Sequence, residues 1–143
     1  MPRTEAFDDI AANFDFLDDW EDRYRYVIEL GKNMPELEEV RRTPATKVDG
    51  CASQVWLVPE VRDGADGPVL HFEGDSDAMI VRGLIAVLIA LVSGQRLADI
   101  REMDIPAELA ALELDQALSA QRSNGLRAMV TRIEDIAGSS QAA

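Results

Sequence analysis

Cysteine and histidine are almost absent: Cys51 and His71 are the only ones among 143 residues. A lone thiol excludes an internal disulfide, and a lone thiol with a lone imidazole excludes a Cys/His zinc site built from this chain alone. Basic residues are scarce too, with 14 Lys and Arg against 27 Asp and Glu and a formal charge of -13. A nucleic-acid backbone and an anionic membrane surface would both be repelled on average, so neither is expected as a partner. No apolar run is long enough to span a bilayer. The longest, Leu84 to Val92, falls well short of the roughly 20 residues required and reads as a buried core helix. The acidic start, Met1-Pro2-Arg3-Thr4-Glu5-Ala6-Phe7-Asp8-Asp9, lacks the apolar segment of an export signal and the basic character of a transit peptide. With one unpaired thiol, this predicts a cytoplasmic location.

What the chain does have is apolar substance, at 47% hydrophobic residues. That is enough for a packed core, so one domain over residues 1–143 is expected, with a frayed tail at 138–143. Phe7, Ile10, Ala11, Phe14 and Leu17 keep helical spacing behind a possible Thr4 cap. A second helix capped by Asp19 carries Trp20, Tyr24, Val27, Ile28 and Leu30, and Gly31 is read as its left-handed terminator.

From Thr46 the period changes. Val48, then Val55-Trp56-Leu57-Val58, then Val69-Leu70-His71-Phe72 are short, β-branched or aromatic, and bounded by turn residues, which predicts three strands. The stretch Asp63-Gly64-Ala65-Asp66-Gly67-Pro68 predicts a hairpin turn between the last two. Asp75-Ser76-Asp77-Ala78 reads as a helix start, with Ser76 accepting from a free backbone N–H and Asp77 facing the positive end of the dipole, and Gly94 as the stop. Pro106 opens a further helix, and Ser123-Asn124-Gly125 is read as a break before a last one. Two helices, three strands and then several helices do not alternate. The expected class is α+β, a small antiparallel sheet packed against helices.

The residues that could carry chemistry lie around Cys51. The turn Val48-Asp49-Gly50-Cys51-Ala52-Ser53-Gln54 would project the thiol at a sheet edge, where a thiolate attacks sulfur and carbon electrophiles and successive N–H groups can hold its charge. A small buried hydrophobe is the other reading of Cys51. His71 could serve as its base only if the hairpin brought the two together. Period-2 alternation instead puts Val69, His71 and Glu73 on the face opposite Leu70 and Phe72, toward solvent. Trp56 reads as a core residue.

The stretch Gly50-Cys51-Ala52-Ser53-Gln54-Val55-Trp56-Leu57 resembles the active-site segment of the SufE family of sulfur-acceptor proteins, Gly-Cys-x-Ser-x-Val-Trp. Gly74-Asp75-Ser76-Asp77-Ala78 leading into Ile80-Val81-Arg82-Gly83-Leu84 is similar to the family as well. So are Arg122-Ser123-Asn124-Gly125-Leu126 and the early Trp20-Glu21-Asp22-Arg23-Tyr24 and Ile28-Glu29-Leu30-Gly31, all in the same order along the chain. The resemblance implies an iron–sulfur scaffold-like fold and a Cys51 that accepts persulfide sulfur from a pyridoxal-phosphate cysteine desulfurase, stimulates it, and relays the sulfur to a cluster-assembly scaffold. It implies Gly50, Ser53 and Gln54 as supporting residues, Asp77 and Arg122 as partner-sensitive positions, and no metal or cofactor on this chain. Ala52 and His71 depart from the family pattern. A Cys51/His71 hydrolase or transferase and a purely regulatory desulfurase-binding module are the competing readings.

Overall fold

In the computed structural model the described residues are 5–17, 19–48, 54–112, 114, 118 and 120–141. The expectations for Thr4, Asp49, Gly50, Cys51, Ala52 and Ser53 lie outside them. Helix α1 (Glu5–Asp15) buries Phe7, Ile10 and Phe14, and α2 (Trp20–Asn33) begins at the Asp19 cap, whose carboxylate accepts the Glu21 N–H at 2.9 Å. A 3-10 turn (Glu39–Arg41) follows. The hairpin β1 (Val55–Gly64) and β2 (Gly67–Ser76) comes next, then α3 (Met79–Val92), β3 (Gln95–Arg96), α4 (Leu97–Glu102), α5 (Ile105–Ala110) and the long α6 (Ala120–Gln141). Among the described residues no helix is long and apolar enough to cross a membrane.

The sheet is antiparallel in the order β1-β2-β3. Strand alternation sorts the hairpin into two faces. Val55, Leu57, Leu70 and Phe72 are buried on one, and α3 packs there, with Ile85 next to Gly74. The other face carries the cross-strand pairs Trp56–Asp75, Val58–Glu73, Glu60–His71 and Arg62–Val69. The solvent-side placement of His71 follows from this register. At the turn, Gly67 takes a φ of 124°, a conformation glycine reaches without a Cβ penalty. Leu57 sends its N–H away from β2, to Thr46 O, so Pro59, two residues on, has its missing N–H on that same side, where a proline costs no bond of the β1–β2 ladder.

The α+β class holds, but several local expectations do not. The third strand is Gln95–Arg96, too short and polar to carry a strand pattern. The predicted strand at Val48 reduces to one bridge, Lys47–Trp56. Gly31 does not terminate α2. It lies inside the helix, where an added Cβ would sit 2.7 Å from the Gly83 nitrogen of α3, so its small size serves helix packing. Asp75 and Ser76 end β2 instead of starting α3. Ala78 is the N-cap, and Ser76 Oγ accepts its N–H at 3.2 Å. Gly94, with φ 90°, follows α3 as expected and donates to Leu70 O at 2.7 Å. Ser123, Asn124 and Gly125 lie within α6, because burial of Gly125, Leu126, Met129, Val130 and Ile133 outweighs their poor helix propensity. Helix α6 runs as far as Gln141, and residues 142–143 of the expected tail lie outside the described residues.

Candidate functional site

Residues 49–53, which hold Cys51, connect two stems that are both fixed. On the incoming side Thr43 and Thr46 exchange backbone-to-hydroxyl bonds of 3.0 and 3.2 Å, and the Thr46 hydroxyl donates to Arg41 O at 2.7 Å. Two ladder bonds then tie this stem to β1, Leu57 N–H to Thr46 O at 2.9 Å and Val48 N–H to Val55 O at 2.8 Å. On the outgoing side the Gln54 N–H donates to Asp77 Oδ1 at 3.1 Å, and the Asp77 N–H donates to Gln54 O at 3.3 Å. The sequence placed Asp77 at a helix dipole. The structure gives it a second job, joining the exit of the Cys51 segment to the start of α3.

Below this platform lies a buried ionic cluster that the sequence reading missed. Asp75 is 1% exposed and accepts the N–H groups of Leu37 at 3.0 Å and Ser76 at 2.8 Å, together with Arg42 at 2.6 Å and Arg82. Burial pushes its carboxyl up. The two backbone N–H groups and the hydrogen bond and charge of Arg82 outweigh that and hold it below the usual carboxylate range. Arg82 also donates to Gly31 O at 3.2 Å and Met34 O at 2.5 Å. Arg42 lies 5.2 Å from the centroid of the Trp56 ring, so Trp56 is half-buried under a guanidinium and is not part of the apolar core. A readable signal existed: Arg82 is the one charged residue in the run Ile80 to Val92, and a charge in such a helix needs a buried counter-ion.

Arg122 leaves α6 toward α2, donating to the Tyr24 hydroxyl at 3.0 Å with its guanidinium 5.9 Å from the ring. Tyr24 and Ile80 line one small cavity, so Arg122 and Asp77 both lie toward the beginning of α3. His71 is elsewhere. It lines a surface depression of about 150 Å³ with Arg41, Glu60, Arg62 and Glu73. Glu60 is hydrogen-bonded to Arg62 at 2.9 Å, and that bond and the charge of Arg62 lower its carboxyl. His71 pairs across the hairpin with Glu60, six residues beyond Gln54 and hence roughly 20 Å along the strand. Cys51 lies three positions before Gln54, a stretch that spans at most about 11 Å. That separation counts against a Cys51/His71 dyad.

Residues 8–137 match the family described as SufE: Fe-S metabolism associated domain. The chain belongs to the SufE family. An uncharacterized SufE-like protein of Rhizobium meliloti (strain 1021) is 54% identical over 129 residues, covering 90% of this chain and 92% of its own. A second, from Rhizobium etli, is 53% identical over 140 residues, covering 94% of this chain and 95% of its own. The solution structure of a hypothetical protein from Thermus thermophilus superposes with a TM-score of 0.76, covering 99% of this chain and 100% of that one at 15% identity. That last likeness concerns the fold. The SufE match ties the chain to Fe-S metabolism.

Proposed function

We propose that this SufE-family protein accepts persulfide sulfur from a cysteine desulfurase onto Cys51, stimulates that enzyme, and passes the sulfur to an iron–sulfur cluster assembly scaffold. The observation that carries the reading is the position of the chain's only thiol in a SufE match that runs nearly end to end, between two stems fixed to the sheet and to α3. In the transfer step the Cys51 thiolate attacks the outer sulfur of the desulfurase persulfide. The new S–S bond forms as the old one breaks, the desulfurase leaves as a thiolate, and no oxidant is consumed. With no second cysteine in the chain, the carried persulfide cannot collapse into an internal disulfide. Pyridoxal phosphate belongs to the desulfurase, and the chain itself carries neither metal nor cofactor in this reading. Gly50, Ser53 and Gln54 support the thiol, and Asp77 and Arg122 face the partner. The setting is the cytoplasm, where the thiol stays reduced.

The test is desulfurase turnover with excess free cysteine. Wild-type protein raises turnover, Cys51→Ser leaves it at the level of the desulfurase alone, and His71→Ala stimulates like wild type. Full stimulation by Cys51→Ser would favour a regulatory module. Loss with His71→Ala would restore the dyad.

A further inference from the structure

Arg132 projects from α6 onto the stem that leads into the Cys51 segment. Its guanidinium donates to Ala45 O at 2.6 Å and makes a longer contact of 3.4 Å with Lys47 O. Thr46 O, between those two carbonyls, is already taken by Leu57 N–H of β1. Three successive carbonyls of the stem are therefore held from two sides, the middle one by the sheet and its neighbours by α6. A planar fork spans two main-chain acceptors in a way that the single ammonium of a lysine does not. The stem runs from the Thr43–Thr46 turn to Val48, which is buried, and the chain then continues directly into Asp49, Gly50 and Cys51. On the far side, Arg42, the residue preceding Thr43, donates to the buried Asp75.

We propose that Arg132 is a positioning residue for sulfur transfer, holding the stem at Ala45 and Lys47 from which the chain runs on to Cys51. The inference rests on Cys51 as the sulfur acceptor. Arg132 acts through the main chain of Ala45 and Lys47, not on the sulfur. Losing it frees two carbonyls at the rim of the fold while the core, the hairpin and the Asp75 cluster keep all their contacts. Its effect is therefore local.

The experiment compares wild type, Arg132→Met and Arg132→Lys in the full chain. Hydrogen exchange is followed at the Val48 and Leu57 amides and within α3, Cys51 alkylation by iodoacetamide is timed, and sulfur uptake from a cysteine desulfurase is measured against desulfurase concentration. For Arg132→Met, exchange at Val48 and Leu57 and alkylation both rise by roughly tenfold, the loss of a charge-assisted hydrogen bond, while α3 exchange is unchanged. Maximal uptake falls by a similar factor, the half-saturating concentration is unmoved, and Arg132→Lys recovers part of the rate by holding one carbonyl. Wild-type exchange and alkylation in Arg132→Met would overturn the assignment. So would a rise in exchange spread equally over α3, which would mark a merely structural role. If the wild-type protein takes up no sulfur, the acceptor reading fails, and exchange and alkylation still decide whether Arg132 positions the thiol.

Discussion

Asp75 shows how a single carboxylate can organise the surroundings of a site without taking part in its chemistry. Its two oxygens are shared among Leu37 N–H, Ser76 N–H, Arg42 and Arg82, which joins the segment after α2 to the end of β2 and the first turns of α3. Asp75→Asn leaves Arg82 buried without its counter-charge, and removing one partner of a buried pair costs about 3–5 kcal/mol. Urea unfolding at neutral pH should show that loss. Because the folded-state pKa of Asp75 lies below its unfolded value, its stabilisation is complete above the ordinary carboxylate range and disappears as pH falls through the depressed folded value. The gap between wild type and Asp75→Asn therefore narrows on acidification, and a constant gap would contradict the assignment. At this scale the sequence was readable where one residue type carried the signal. Cys51 stood out because it is alone, and the solvent-side placement of His71 followed from strand alternation. The partners of Asp75 were hidden because Leu37 and Arg42 lie more than thirty positions away along the chain.

Among the elements, the contact of α2 with α3 sets the spacing on which the platform rests. At Gly83 an added Cβ would collide with the Val27 carbonyl oxygen, and at Gly31 it would fall 2.7 Å from Gly83 N, so the two backbones meet with no room for a methyl group. Gly83→Ala must push the helices apart and should cost about 3 kcal/mol, the upper end of ordinary overpacking, seen as a lower urea midpoint. A midpoint matching wild type would mean that the helices separate freely. The helices with strong apolar stripes, α1, α2 and α3, were legible because burial and period agree. Gly31 was misread because a glycine near a helix end signals termination and close packing equally well. The Ser123-Asn124-Gly125 break failed for a related reason. Local propensity favours a turn there, and tertiary burial of the α6 stripe overrides it.

Over the whole molecule, the formal charge of -13 bears on association more than on folding. A desulfurase meeting this protein through a basic surface would be steered toward it. The association rate should then fall by roughly tenfold from low to high salt with little change in dissociation, as read by stopped-flow binding. A salt-independent rate would mean an apolar docking face instead. The fold class was legible from the order of elements, and the topology was not, since β3 contributes two residues with no strand pattern. The SufE membership was legible because its motifs occur in order along the chain.

The central claim is that Cys51 carries sulfur. The most direct test is the intact mass of the protein after incubation with a cysteine desulfurase, pyridoxal phosphate and free cysteine, with Cys51→Ser in parallel. The account predicts a gain of one sulfur atom in the wild-type protein, reversed by a thiol reductant and absent from Cys51→Ser. An equal gain in Cys51→Ser, or none in a wild-type protein that binds the desulfurase, would contradict it.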